Sequence, residues 1–210
     1  MFLLATKHYI LYPYCSIITK GDYMQYPNNI KKIRNHTSVS HSNRGMSLEN
    51  LINMTNDYYI KKDIALIHKK PTPIGVVEVN YSNHKKLIKK AYFKEQSTLD
   101  YNGVYRGKYI EFDAKETLNK TAFPLANVHD HQIEQIDGVI KHGGIAFLII
   151  KMNTFYYLLK GEDFLNFIQN TKSKSIPYSY IQDNAIIIKE NYQPALNYLK
   201  IIDEIYFKGE

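Results

Sequence analysis

The sequence predicts an α/β fold, a β-sheet flanked by helices, and three observations support this prediction. Apolar segments with the length and β-branched content of strands alternate with segments whose apolar residues recur at helical spacing. The most apolar strand, residues 145–150, follows a helix that ends at Gly143-Gly144, and such a strand is expected at the centre of a sheet. The chain has 210 residues, 44% of them hydrophobic, which is enough for one core.

The arm and the first helix are distinguished by composition. Residues 1–41 are expected to be a flexible extension and arm, because residues 25–43 are polar, rich in Asn, Ser and His, and show no periodicity. The folded domain is predicted to cover residues 42–210. It begins with an amphipathic helix that is capped by Ser47 and runs to about residue 59.

A lysine-rich region follows this helix. Strands are predicted at residues 64–68 and 74–79, and the two prolines in the linker between them make that linker stiff and extended. We interpret residues 83–90 as a basic connector and residues 91–93 as a short apolar stretch. Residues 69–94 therefore form either a basic projection or a solvated edge of the sheet. The lysines in and near this region are Lys61, Lys62, Lys69, Lys70, Lys85, Lys86, Lys89, Lys90 and Lys94.

The next segment predicts a β-hairpin at residues 103–110 that turns at residues 106–108. Its outgoing strand alternates, and Ile110, Phe112 and Ala114 are predicted to lie on one side. On the other side we expect Tyr109, Glu111, Asp113 and Lys115. Beyond this strand the sequence predicts a polar loop at residues 116–127 and a helix at residues 130–140. Strands at residues 145–150 and 155–159 and helices at residues 163–170 and 194–207 are predicted to follow.

Composition restricts the classes of function. The net charge of +7 favours a polyanionic partner such as nucleic acid, although other basic proteins have the same balance. The single cysteine, Cys15, excludes an intramolecular disulfide and a multi-cysteine zinc site, and it suggests a reducing cytoplasm. Residues 1–18 are apolar but are interrupted by Lys7, His8 and Pro13, so neither a signal peptide nor a membrane-spanning helix is predicted.

Two aspartates and a lysine suggest chemistry on a phosphodiester. Asp113 and Lys115 share one face of a strand, roughly 7 Å apart at the backbone. Phosphodiester hydrolysis uses a hard divalent cation held by carboxylate oxygens and a cationic group that offsets developing charge. If Asp100 lies across from Asp113 on the neighbouring strand, both carboxylates can bind one Mg²⁺ ion, with Lys115 beside the scissile phosphate. The same charges also fit an exposed strand that has no chemistry.

The histidines nearby do not predict a metal site. His129, Asp130 and His131 are adjacent on a predicted helix and therefore do not face each other. Surface or capping roles are expected, with Asp130 as the N-cap. The oxygen ligands and the lack of a Cys/His cluster in the sequence favour magnesium over zinc.

An ordered series of motifs resembles the RecU Holliday junction resolvases, a branch of the PD-(D/E)XK nuclease superfamily. The resemblance covers residues 24–207, and its central motif is Phe112-Asp113-Ala114-Lys115-Glu116-Thr117. The other matching segments are residues 24–28, 42–49, 68–73, 91–94, 100–103, 123–125, 129–132 and 198–207. The resemblance implies a restriction-endonuclease-like mixed sheet flanked by helices, with a protruding basic stalk at about residues 69–94.

The resemblance also implies an activity and its residues. It implies a Mg²⁺-dependent endonuclease that acts as a homodimer on four-way junctions in recombination and repair, with a recombinase filament and a branch-migration helicase as further partners. The metal positions fall on Thr98, Asp100, Asp113 and Gln132, and Lys115 is the transition-state stabiliser beside the catalytic aspartates. The expected DNA-binding residues are Arg44, Lys69, Lys70, Tyr81, Lys85, Lys86, Lys89 and Lys90.

Two departures from the family pattern qualify this expectation. Asp113 stands where the family has glutamate, so its oxygens are set back by one methylene and Mn²⁺ is expected to substitute for Mg²⁺. Residues 1–23 have no counterpart in the family, and translation is expected to begin at Met24. Two rival classes remain, namely another PD-(D/E)XK nuclease that cuts linear duplex equally well, and a non-catalytic factor that binds junctions.

Overall fold

The computed structural model describes residues 46–82, 85–94 and 98–208; the predicted arm and Arg44 lie outside them. In these ranges the helices are α1 (Leu48–Lys61), α2 (Asp130–Lys141), α3 (Gly161–Asn170), α4 (Tyr178–Asn184) and α5 (Tyr198–Tyr206), with a 3₁₀ turn at Leu125–Asn127. The strands are β1 (Leu66–Lys69), β2 (Ile74–Ser82), β3 (Lys85–Phe93), β4 (Tyr101–Tyr105), β5 (Lys108–Glu116), β6 (Ala122–Pro124), β7 (Ile145–Met152), β8 (Phe155–Lys160), β9 (Ser175–Pro177) and β10 (Ile186–Ile188). None of the described helices combines the length and hydropathy needed to cross a bilayer.

Six strands form one mixed sheet in the order β1-β4-β5-β7-β8-β10. β5 and β7 run parallel, and the other neighbouring pairs of this sheet are antiparallel. α2 lies in the connection between β5 and β7, as a parallel pair requires a crossover. The predicted α/β fold with a mixed sheet is confirmed, and β7 is an internal strand as expected.

Helices cover both faces of this sheet and create two cores. One core joins α1 and α5 to residues such as Phe112 and Phe147. The other joins α2, α3 and α4 to residues such as Leu148 and Ile150. Because alternate residues of β7 enter opposite cores, this strand is apolar along almost its whole length.

The strands β2 and β3 form a separate two-stranded hairpin, paired from Ile74↔Phe93 outward. The connector interpretation of residues 83–90 is therefore wrong from Lys85 onward. Both faces of the hairpin are largely exposed, so lysines and apolar residues have no need to alternate and the strand is hard to detect. Within the described residues the hairpin pairs with no strand of the six-stranded sheet, which favours the projection over the sheet edge.

The loop predicted at residues 116–127 is wrong in its centre, where β6 pairs with β9 and a 3₁₀ turn follows. The elements β9, α4 and β10 were also not predicted. Each of them has only three to seven residues, so periodicity provides little signal and the pairing partner lies far along the chain.

Two helix boundaries also differ from prediction. The N-cap of α2 is His129 instead of Asp130, because the His129 N–H donates to Gln132 Oε1 at 3.0 Å. α5 begins at Tyr198 instead of residue 194, because the preceding segment is bound to α1: the Leu196 N–H donates to Thr55 Oγ1 at 2.9 Å. The predicted cap of α1 is confirmed, since Ser47 Oγ accepts from Asn50 N–H at 3.3 Å.

Candidate active site

The strand β5 brings the predicted acid and lysine together. Asp113 is fully buried on the side of the sheet that faces α2, and Lys115, two residues on, is 17% exposed. Lys115 Nζ lies 2.9 Å from Asp113 Oδ2. Ile110 and Phe112 lie in the opposite core, so the predicted alternation is confirmed. Lys115 thus provides the charge partner that a buried carboxylate requires.

Asp100 lies beside Asp113 at the start of the neighbouring strand. The first residue of β4, Tyr101, is in register with Phe112, which brings Asp100 level with Asp113. The main chain is fixed here because the Lys70 N–H donates to the Asp100 carbonyl oxygen at 2.7 Å. A cleft of about 220 Å³ between the start of α1 and these two strands borders Asp100.

The proximity of the two carboxylates changes the acidity of Asp100. Burial, followed by the hydrogen bond and the negative charge of Asp113, raises the pKa of Asp100 to about 6. The ammonium groups of Lys115 and Lys69 act in the opposite direction but do not cancel this rise. The two aspartates are therefore close enough to influence each other, as a shared metal ion would require.

The first turn of α2 contributes Gln132 to the same place. Gln132 Nε2 donates to Asp113 Oδ2 at 2.6 Å, while its Oε1 accepts from the His129 N–H. Gln132 is therefore fixed at both ends of its amide group and orients Asp113. The expectation that its oxygen also binds the metal stays a prediction.

A second buried acid, Glu111, lies on the same face of β5 and was not among the predicted site residues. Its carboxylate accepts from Lys70 Nζ, from the Leu99 N–H at 3.2 Å and from Gln135 Nε2 at 2.6 Å. The predicted alternation had already placed Glu111 on the side of Asp113. An acidic residue between apolar neighbours in a central strand was the available signal, because such a residue has to be paired.

The residues present fit a hard divalent cation. In the described part of the chain, no group of three or more His, Cys, Asp or Glu side chains could hold a metal. Asp100 and Asp113 stay the predicted acidic ligands, and neutral oxygens from Thr98, Gln132 or water would complete the shell. An all-oxygen set suits Mg²⁺ or Mn²⁺. A bound cation would also oppose the effects of burial and of the negative charge of Asp113, which raise the pKa of Asp100.

The expected DNA-binding residues fall into two environments. On the hairpin, Lys86 and Lys90 are exposed, Tyr81 is 71% exposed with Lys86 Nζ 5.8 Å from its ring centre, and Lys89 pairs with Glu78 at 2.8 Å. The backbone of Lys85 begins β3. At the hairpin base, Lys69 is exposed and pairs with Glu49 at 2.6 Å, whereas Lys70 pairs with the buried Glu111.

Two neighbouring carboxylates and a lysine on a mixed sheet define an α/β protein with the residue types that metal-dependent phosphodiester hydrolysis uses. The model of the family RecU, recombination protein U, matches residues 43–204, and the chain belongs to this family. The resemblance in its motifs is thereby confirmed.

Two RecU proteins support the same assignment. The chain is 49% identical over 181 residues to the Holliday junction resolvase RecU of Bacillus cereus (strain G9842), covering 83% of this chain and 89% of that protein. The values are the same for the RecU of Bacillus mycoides (strain KBAB4). Among solved structures, the chain is similar to Hjc, a Holliday junction resolvase of Archaeoglobus fulgidus, at 11% identity and a TM-score of 0.36, covering 62% of this chain and 90% of that one.

Proposed function

We propose that this protein is a Holliday junction resolvase, an endonuclease that makes paired, metal-dependent incisions in four-way DNA junctions during homologous recombination and repair. The observation that carries the proposal is the meeting of Asp100, Asp113 and Lys115 on adjacent strands. It is supported by relatives that bear this name and share 49% of aligned residues.

Each side chain of the site has a separate proposed role in hydrolysis. Asp100 and Asp113 would hold the divalent cation, with Thr98 and Gln132 adding oxygens directly or through water. When bound, the cation polarises the phosphate and acidifies a water molecule. Lys115, on the same strand as Asp113, would offset the charge that develops on the scissile phosphate. Attack by water on phosphorus breaks the bond to the 3′ oxygen and leaves a 5′-phosphate and a 3′-hydroxyl.

The hairpin β2–β3 is proposed to enter the junction. Its exposed ammonium groups would neutralise the phosphates that crowd at the branch point, and Tyr81 would stack on an opened base. The proposed phosphate-binding set is Arg44, Lys69, Lys85, Lys86, Lys89 and Lys90. Lys70 is distinct because its ammonium group already binds Glu111.

A homodimer is the proposed active form. A four-way junction has approximate two-fold symmetry, so two copies related by a two-fold axis would place one active site at each of two opposing strands. A recombinase filament and a branch-migration helicase are proposed as further partners. The cytoplasm is the proposed location, because a chain with one cysteine forms no intramolecular disulfide and so needs no oxidising environment.

The deciding experiment compares cleavage of a synthetic four-way junction with that of a linear duplex of matched sequence, each without metal, with Mg²⁺ and with Mn²⁺. We expect metal-dependent paired cuts in the junction and little cutting of the duplex. Equal cutting of both substrates would instead identify a general nuclease. Junction binding with no cleavage in either metal would identify a non-catalytic factor and would point to the aspartate at position 113.

A further inference from the structure

We propose that Lys70 and Glu111 are positioning residues that hold Asp100 against Asp113, an inference that rests on the proposed function. Glu111 is 0% exposed in the centre of the sheet. A carboxylate at such a place is costly unless it is paired and hydrogen-bonded. Neither Asp100 nor Asp113 is a hydrogen-bond partner of Glu111. Its role is therefore inferred from the segments that its hydrogen bonds connect.

Three separate segments donate to Glu111. Lys70, directly after β1, donates from Nζ, and Leu99, directly before Asp100, donates from its main-chain N–H at 3.2 Å. Gln135 of α2 donates from Nε2 at 2.6 Å to the other carboxylate oxygen. Glu111 therefore ties the end of β1, the approach to β4 and one face of α2 to the strand that carries Asp113.

Lys70 holds Asp100 from the other side. Its main-chain N–H donates to the Asp100 carbonyl oxygen at 2.7 Å while its ammonium group binds Glu111. The main chain is thus held on both sides of the Asp100 α-carbon, by the N–H of the preceding residue, Leu99, and by the Asp100 carbonyl oxygen. The side chain of Asp100 takes no part in either contact, which leaves its carboxylate available to a cation.

The helix α2 supports the two buried acids of β5 in the same way. Gln132 and Gln135 lie about one turn apart and donate from Nε2 to Asp113 and to Glu111 respectively. Lys70 is also unlike the hairpin lysines in its exposure, with 23% of its side chain accessible compared with 65% for Lys89. These contacts assign Lys70 to the support of the active site and not to phosphate binding.

The test uses the full-length protein with the variants Glu111→Gln, Lys70→Met and Lys70→Arg. Lys141→Met is the matched control, because it breaks an exposed pair with Asp137 on α2, of 2.5 Å, that is remote from this network. Mn²⁺ binding without DNA is measured by electron paramagnetic resonance, and junction binding is measured without divalent metal. Amide hydrogen exchange is followed at Lys70 and Leu99, whose N–H groups make the two contacts.

We expect Glu111→Gln and Lys70→Met to weaken Mn²⁺ binding by about 10-fold or more, as loss of a group that orients a metal ligand typically does. Both changes should accelerate exchange at Leu99 and Lys70 and leave junction affinity unchanged. Lys70→Arg, which retains the charge, should preserve Mn²⁺ affinity better than Lys70→Met. Lys141→Met should behave as the wild type does in every measurement.

The proposal is overturned if Mn²⁺ affinity and amide exchange in both variants match the Lys141→Met control. It is also overturned if Lys70→Met loses junction affinity while metal binding is unchanged, since Lys70 would then be a phosphate contact. Should Glu111→Gln fail to fold, the comparison of Lys70→Met with Lys70→Arg decides. If the variants show the expected changes in Mn²⁺ affinity but the wild-type protein cuts no junction, the proposed function is contradicted and the positioning role is not.

Discussion

At the scale of residues, the site consists of two neighbouring carboxylates and the lysine and amide groups that stabilise their charge. Asp113 has donors on both sides, because Lys115 Nζ and Gln132 Nε2 approach Oδ2 and the Ala114 N–H donates to Oδ1. Asp100 has less support for its charge, and burial, followed by the hydrogen bond and the negative charge of Asp113, raises its pKa. We therefore expect a bound cation to affect the protonation of Asp100 most directly.

Changing Asp100→Asn should abolish cleavage and preserve junction binding, because the amide removes one anionic ligand without altering the size of the side chain. Single-turnover cleavage and junction binding by gel shift measure the two effects separately. Asp137→Asn on the exposed face of α2 is the control and should cut as the wild type does. Residual metal-dependent cutting by Asp100→Asn would exclude Asp100 as a required ligand.

The stability of the metal-free protein should depend on pH through Asp100. Its pKa is raised to about 6 in the folded state, so the folded state retains a proton that the unfolded chain loses, and stability falls as pH rises from about 4 to about 6. Asp100→Asn cannot ionise and should be more stable than the wild type above this range, by about 1 kcal/mol after allowance for solvent screening. Urea denaturation in the presence of a chelator measures this difference. If it persists undiminished at about pH 3, where both forms are neutral, the cause is not this ionisation.

Lys115→Ala should reduce the cleavage rate more than substrate affinity, because the ammonium group acts on charge that develops only in the transition state. A loss of about 10²–10³-fold in the single-turnover rate is expected for removal of one such stabilising group. Cleavage rate and junction affinity are measured on the same preparation. A variant that loses affinity as strongly as rate would show that Lys115 mainly binds the ground state.

At the scale of elements, the hairpin β2–β3 differs from the six-stranded sheet because it contributes no residue to the two cores of the described chain. Val77, Leu87 and Ile88 are exposed next to lysines, whereas the apolar residues of β7 in the central sheet are buried. A two-stranded ribbon of this kind has little independent stability in water. Its pairing with a nucleic acid, as proposed, would cover the stacking surface of Tyr81 and neutralise the surrounding lysines.

Lys86→Ala on this hairpin should weaken junction binding, with a shallower dependence on salt. Removal of one phosphate contact lowers the slope of log affinity against log salt by about 1. Titrations at several salt concentrations, in the absence of divalent metal, measure the slope. Lys141→Ala is the control on α2. An unchanged slope in Lys86→Ala would show that this lysine makes no phosphate contact.

At the scale of the whole molecule, the two ends of the described chain are joined by buried polar contacts. The Tyr198 hydroxyl of α5 donates to Asn56 Oδ1 of α1, and the Tyr59 hydroxyl donates to Asn197 Oδ1 at 3.0 Å. Phe112 of β5 stacks between Tyr101 and Phe147 beneath these helices, with ring centres 4.9 Å and 4.7 Å away. The contact between α1 and α5 thus closes the core that supports β5.

Tyr198→Phe should destabilise the fold, because it leaves the buried Asn56 oxygen without its donor. A cost of about 1–3 kcal/mol is expected for one unsatisfied buried polar group. Tyr192→Phe, at a tyrosine that is 70% exposed, is the matched control and should have little effect. Urea denaturation of both variants measures the difference, and equal stabilities would show that the hydroxyl of Tyr198 contributes nothing.

Features that depend on neighbours along the chain could be predicted from the sequence. The cap at Ser47, the turn before β5, and the common face of Glu111, Asp113 and Lys115 follow from local geometry, since a strand alternates with period two. The apolar run of β7 likewise predicted an internal strand. Family motifs then supplied the expected role of each catalytic residue.

Which distant residues meet depends on the tertiary structure. It brought Asp100 beside Asp113, bound Lys70 to Glu111 and paired β6 with β9. It also showed that β3 is a strand, which local pattern concealed because neither face of the hairpin is buried. The physical reason is the same in each case: periodicity records which face of an element is buried, but it carries no information about the partner that covers it.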